Sequence, residues 1–150
     1  LRSSGYIQNN SATGATGVMT NGDIIFTISG GPIAILQLQS VCIAANGVAA
    51  TTMQYSSSPT VGSAKTFSGA SASLASATAG TTVTLNQTAL TTAPDIVTAA
   101  NGGVPLGANV SNMIIVQAGT ITLVIATGPT TGTWKHYISY VPLAPGVNVV

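Results

Sequence analysis

Apolar and polar residues alternate with a period of two along several short segments, a pattern typical of half-buried β-strands. The clearest example is residues 120–126 (TITLVIA), in which Ile121, Leu123 and Ile125 share one face. Residues 33–44 (IAILQLQSVCIA) carry apolar residues of both parities, which indicates a central strand buried on both faces over part of its length. These segments predict a domain built from β-strands.

Turn-forming residues such as Asn21-Gly22-Asp23 and Gly30-Gly31-Pro32 separate the apolar segments. About eight short strands with turns between them, and no segment of helical period, predict an all-β antiparallel β-sandwich that is jelly-roll-like. The predicted strands are residues 24–28, 33–44, 51–56, 65–67, 81–85, 112–117, 120–126 and 134–141. The predicted core consists mainly of Ile25, Ile35, Leu36, Leu38, Ile114, Val116, Ile121, Leu123 and Ile125.

The two ends of the chain differ in composition from the middle. Residues 1–20 are rich in Gly, Ser, Thr and Asn with little periodicity, so we expect an extended N-terminal arm. Residues 21–142 form the predicted sandwich domain. Residues 143–150 follow two prolines and are expected to form an extended apolar tail. We expect this tail to pack against a neighbouring subunit or a larger shell, and packing within the chain is the alternative.

Charged side chains are scarce: 3 Lys and Arg and 2 Asp and Glu in 150 residues, with a formal net charge of +1. This number of cations is too small to neutralise a run of phosphates or to bind an anionic membrane surface. We therefore expect neither nucleic-acid nor membrane partners. The apolar runs are also too short for a membrane-spanning helix. Because charge normally opposes association, a nearly neutral surface favours close packing with copies of the same chain.

The titratable residues are too few and too scattered to indicate a catalytic or metal site. A Ser, His136 and either Asp23 or Asp95 could form a triad on paper, but no Gly-x-Ser-x-Gly motif is present. Both aspartates occupy ordinary turn positions. No cluster of His, Cys and carboxylates has the spacing of a zinc or calcium site. We therefore expect no enzyme activity, cofactor or metal, and we expect the single Cys42 to be a small buried apolar residue.

The last predicted strand places Trp134, His136, Ile138 and Tyr140 on one face. Such a stripe is typical of a core or a subunit interface, and we predict an interface here. A platform for stacking on sugar rings is the alternative. The predicted subunit or capsid contacts are Trp134, His136, Tyr140, Leu143, Val147, Val149 and Val150.

Several segments resemble small structural proteins of tailed bacteriophages, specifically proteins that decorate or cement the capsid. These segments are residues 26–33 (FTISGGPI), residues 118–121 (AGTI), residues 134–143 (WKHYISYVPL) and the ending Val149-Val150. The resemblance extends over most of residues 24–150 and consists of a pattern of strands and turns.

The resemblance implies a jelly-roll-like sandwich that binds the outer face of the capsid as a homotrimer and clamps adjacent copies of the major capsid protein. It implies location on the virion surface and no catalytic residues. The alternative function is a fibre or tail domain that recognises host-surface glycans through Trp134 and neighbouring tyrosines.

Overall fold

A computed structural model describes residues 10–97, 113–129 and 131–150 of the chain. Within these residues the structure has eleven β-strands and no helix. The strands are β1 (Asn10–Gly17), β2 (Ile24–Ser29), β3 (Ile33–Ala44), β4 (Thr52–Pro59), β5 (Lys65–Thr66), β6 (Thr82–Thr84), β7 (Asp95–Val97), β8 (Ile114–Val116), β9 (Gly119–Ala126), β10 (Thr133–Pro142) and β11 (Asn148–Val149).

The strands form two antiparallel sheets that pack face to face as a β-sandwich, as the sequence predicted. Sheet A has the order β1-β10-β3-β6-β7, and β8 pairs with β3 over residues 33–35. Sheet B has the order β11-β2-β9-β4-β5. Contacts between β1 and β2 place these strands on one side of the sandwich. We call this the β1/β11 side, and the opposite side the β5/β7 side.

The core lies between the two sheets and is built from alternate residues of the strands. Strand β10 has a strictly alternating burial pattern from Thr133 to Tyr140, as expected for a strand with one face against the opposite sheet. Of the nine predicted core residues, eight are buried. The exception is Leu36, which is half-buried because it points away from the interior that its neighbour Ile35 fills.

All eight predicted strands are present, and three strands were not predicted: β1, β7 and β11. Strand β1 falls within the predicted N-terminal arm and pairs with β10 from Asn10 opposite Tyr140 to Gly17 opposite Trp134. The structure therefore places residues 10–17 in sheet A, as an extended edge strand. Residues 1–9 of that predicted arm lie outside the described residues.

The predicted C-terminal tail turns back onto its own chain. Leu143 N donates to Pro32 O, and residues 148–149 then pair with β2. Backbone bonds in both directions between Val150 and Thr27 extend this pairing. Close packing of the turn requires Gly30, which has a φ of 81° and whose α-carbon faces the Gly146 carbonyl, so a side chain there would collide with backbone.

The Ser- and Ala-rich segment after β5 has no helix and no regular strand, but it is fixed along β4 by hydrogen bonds. Ser71 N donates to Met53 O and Leu74 N donates to Thr51 O. Side chains reinforce these contacts, since Ser68 Oγ accepts the Tyr55 N–H at 2.8 Å. The segment therefore covers a part of β4 beyond its pairing with β5.

Candidate functional site

Trp134 is a structural anchor in the core. Its side chain is fully buried, and its Nε1 donates to Asn46 Oδ1 at 2.9 Å. Asn46 Nδ2 in turn donates to the Leu74 carbonyl at 3.0 Å. These bonds join β10, the β3–β4 loop and the Ser- and Ala-rich segment, and they satisfy the indole N–H that burial would otherwise leave unpaired.

His136 begins a chain of hydrogen bonds that crosses the core from one sheet to the other. Its Nδ1 lies 2.7 Å from Ser40 Oγ on the neighbouring strand β3. Ser40 Oγ lies 2.9 Å from the hydroxyl of Tyr55, which is on β4 in sheet B. The Tyr55 hydroxyl donates to the Val83 carbonyl on β6 at 3.1 Å. The three side chains are buried, so water does not compete for these bonds.

The direction of each bond in this chain follows from its last member. The Val83 carbonyl can only accept, so the Tyr55 proton is used there and the Tyr55 oxygen accepts from Ser40. The Ser40 proton is then used as well, so Ser40 must accept a proton from Nδ1–H of His136. Neutral His136 therefore carries its proton on Nδ1, and its Nε2 has a free lone pair.

Burial determines the protonation states of this chain. Removal from water lowers the pKa of His136 to about 4, although the nearby Asp23 carboxylate acts in the opposite direction. Burial also raises the pKa of Tyr55, and the hydrogen bond from Ser40 partly offsets that effect. At neutral pH both groups are uncharged, as the hydrogen-bond directions require.

The Ser40–His136 pair differs in geometry from an activated nucleophile. A catalytic serine gives its proton to a histidine nitrogen and exposes Oγ to substrate. Here Ser40 accepts from His136, donates to Tyr55 and has no exposed surface. The arrangement joins strands and does not activate the serine.

A partly open cavity of about 220 Å³ lies beside His136, beneath the β1–β2 turn. The residues that line it are Thr16, Gly17, Val18, Met19, Asp23, Ile24, Ile25 and His136. The Asp23 carboxylate is held by the Thr20 N–H, which donates to Oδ2 at 2.6 Å. Asp23 and His136 form no hydrogen bond with each other.

Within the described residues, the predicted contact residues divide into two groups. The side chains of Trp134, His136, Tyr140 and Val149 are buried inside the chain. In the single chain these four side chains therefore belong to the core, and their role as subunit or capsid contacts stays a prediction. Val147 is half-buried against the core, whereas Leu143 and Val150 are exposed.

Cys42 is buried, as the sequence predicted, and burial raises the pKa of its thiol. Within the described residues, no three His, Cys, Asp or Glu side chains come together as metal ligands. The same part of the chain contains no helix with the length and hydrophobicity to cross a membrane.

Sequence reasoning identified His136 but missed Ser40 and Tyr55. Ser40 is a polar residue on the otherwise apolar inward face of β3, which is the one sequence signal that could have indicated a buried partner. Comparison with known proteins found no matching family model, curated protein or solved structure.

Proposed function

We propose that this chain is a structural virion protein that decorates and stabilises a bacteriophage capsid by binding its outer face as a homo-oligomer. In this proposal the oligomer is a trimer, the partner is the major capsid protein, and the protein catalyses no reaction. The fold is a jelly-roll variant of the sandwich, which is supported by a chain that alternates between the sheets over β1 to β4.

The observation that carries the proposal is a group of exposed large apolar side chains at one end of the sandwich. Val18 follows β1, Ile24 begins β2, Ile43 is near the end of β3, and Val48 lies in the β3–β4 loop. The pairing of β1 and β3 with β10 places these positions at the same end. We call this group the apolar end, and exposed apolar groups of this kind mark interaction surfaces.

A weak contact suffices for a protein that binds a particle in many copies. Burying a valine or isoleucine side chain contributes roughly 1.5 to 3 kcal/mol before the cost of ordering is subtracted. An oligomer presents several identical apolar ends to a repeating lattice, so modest affinities multiply. Because the chain has few charged side chains, the electrostatic repulsion between neighbouring copies is small.

The glycan-binding alternative loses its expected platform. Trp134 has no exposed surface, and Tyr55 and Tyr140 are also buried. Among the described residues, Tyr137 is a half-buried aromatic side chain, and the Lys135 ammonium lies 5.5 Å from the centre of its ring. A sugar ring needs an accessible aromatic face, and Trp134 does not supply one.

Electron microscopy of phage particles incubated with the purified protein tests the proposal. We expect regular density over the outer face of the shell. Labelling confined to fibre tips, or no labelling, would contradict the proposed role.

Two matched variants test whether the apolar end makes the contact. Val48 at the apolar end is 88% exposed, and Val61 in the β4–β5 turn at the other end is 89% exposed. Val48→Ser should weaken shell binding by about tenfold, and Val61→Ser should leave it unchanged. Equal effects of the two substitutions would assign the contact elsewhere.

A further inference from the structure

Lys65 is an exposed cation on the β5/β7 side of the sandwich. It lies on β5, the edge strand of sheet B, and its ammonium has no partner among the described residues. The chain has 3 Lys and Arg in total. Of the other two, Lys135 lies over the Tyr137 ring and Arg2 lies outside the described residues. Lys65 is therefore the described cation that is available for a partner.

The cavity beneath the β1–β2 turn has the chemistry of a site for a lysine side chain. Asp23, Thr16 and His136 line the cavity, and a carboxylate, a hydroxyl and the unprotonated nitrogen of a neutral imidazole can each accept a hydrogen bond. An ammonium group has three donors, so three acceptors match it. The lining also includes the apolar residues Val18 and Ile24, which suit the methylene stem of lysine. Since one water molecule occupies about 30 Å³ in the liquid, a cavity of about 220 Å³ has room for the end of such a chain.

Other ligands fit these groups less well. A structural zinc ion requires four ligands, and the described part of the cavity supplies one histidine and one carboxylate. A guanidinium has five donors in a planar fork and would leave some of them unpaired here. His136 is 4% exposed as a residue, and its Nε2 has no hydrogen-bond partner among the described residues, so it can accept a hydrogen bond from a ligand.

The cavity and Lys65 lie on opposite sides of the sandwich. The cavity is formed by the end of β1 and the start of β2, whereas Lys65 is on β5 at the far edge of sheet B. One chain therefore cannot fill its own cavity, but a second copy can. We propose that Lys65 of one copy inserts into the cavity of the next copy and donates hydrogen bonds to Asp23, Thr16 and Nε2 of His136.

A contact between two different surfaces of the same chain is head-to-tail, and it builds a ring when the rotation between copies closes. A ring of three gives the trimer of the proposed function, and only this number rests on that proposal. Each copy then pairs one of its two carboxylates with one of its three Lys and Arg residues. Such a pair sets the register between copies on an otherwise neutral surface.

Sedimentation of four single variants over a range of protein concentrations tests this contact. Asp23→Asn removes the charge, yet the amide oxygen can still accept the Thr20 N–H, so the turn should keep its structure. Lys65→Gln changes an exposed residue. We expect each to raise the dissociation constant of the ring at least tenfold. The matched controls Asp95→Asn and Lys135→Gln should leave it unchanged.

Mixing the two interface variants gives a result specific to a head-to-tail contact. The Asp23→Asn chain keeps its lysine and the Lys65→Gln chain keeps its cavity, so an equal mixture should form a heterodimer that cannot close into a ring. A monomeric wild-type chain, variants that retain the wild-type ring, or a mixture without heterodimers would each overturn the contact.

Microscopy of shells with the same proteins separates this contact from the proposed function. Shell labelling by a wild-type ring whose assembly is insensitive to both substitutions would overturn the contact and leave the decoration role standing. A ring that depends on Lys65 and Asp23 but does not label shells would establish the contact and overturn the decoration role.

Discussion

Acidification is expected to weaken the fold through a single residue, His136. His136 is 4% exposed, and burial keeps its imidazole neutral at pH 7 while Nδ1 bonds to Ser40. Burial lowers its pKa to about 4 in the folded state, whereas an unfolded histidine has a pKa near 6.5. Lowering the pH from 7 to 4 therefore protonates His136 in the unfolded chain before it does so in the folded chain.

The sign and the size of the effect follow from this difference. Above pH 6.5 both states are neutral and the full stability is present. Between pH 6.5 and pH 4 the unfolded state binds more protons, so the free energy of unfolding falls as the pH falls. The loss from His136 reaches about 2 kcal/mol at pH 5 and about 3 kcal/mol at pH 4, and it levels off below the folded pKa.

Urea unfolding at a series of pH values and one fixed protein concentration measures this loss. The fluorescence of Trp134, the one Trp of the chain, reports the transition because its indole is fully buried. Few other groups compete with His136 as the source of this loss, because the sequence has one His and a total of two Asp and Glu side chains.

His136→Asn provides the matched control, because its amide nitrogen can take the place of Nδ1 opposite Ser40 but does not titrate. This variant should be less stable at pH 7 and should have a flat profile between pH 6.5 and pH 5. Should the variant fail to fold, the His136 pKa can be read from its imidazole resonances in the wild-type chain. A wild-type profile that is flat over this range, or a measured pKa near 6.5, would refute the reasoning.

Three further substitutions and one deletion are tested by urea unfolding. Trp134→Phe leaves Asn46 Oδ1 without its donor, and it should cost about 2 kcal/mol, measured by circular dichroism. Gly119→Ala should cost at least about 2 kcal/mol, because the φ of 149° is strained for alanine and its methyl group would meet the backbone of β4. Gly128→Ala, with open space around it, should change stability by less than about 0.5 kcal/mol. Deleting residues 148–150 removes a buried valine and should cost about 2 kcal/mol, but it should leave the assembly intact. A deletion that keeps stability and abolishes assembly would instead restore the tail as an interface element.

The fold was predictable where burial imposed an alternating pattern, and less so where backbone pairing alone decides. Strand β9 alternates clearly, and both its predicted position and its inward face are confirmed. Strand β1 has the sequence NSATGATG and carries almost no apolar signal. Residues 10–17 form a strand because β10 offers them an unpaired edge. That edge depends on the sequence of β10, so the sequence of β1 does not indicate it.

The candidate site was less predictable, because its members are far apart in the sequence. The alternation on β10 placed Trp134 and His136 on one face, but it could not distinguish a face covered by sheet B from one covered by a neighbouring subunit. Ser40 and Tyr55 meet His136 from β3 and from the opposite sheet. Sheet order and register determine those meetings, and local patterns contain neither.

We explain the buried chain of hydrogen bonds by its effect on strand register, because a sequence of low complexity specifies register weakly. A shift of a strand by two residues keeps the same face inward, so the alternation of apolar residues alone does not exclude it. In the native register His136 is directly opposite Ser40. A shift of β10 by two residues would place His136 opposite Leu38 or Cys42 and leave the imidazole N–H buried without its acceptor. The His136–Ser40–Tyr55 chain therefore penalises the wrong register of β10 on β3, and through Tyr55 it also fixes β4 over the same point of sheet A.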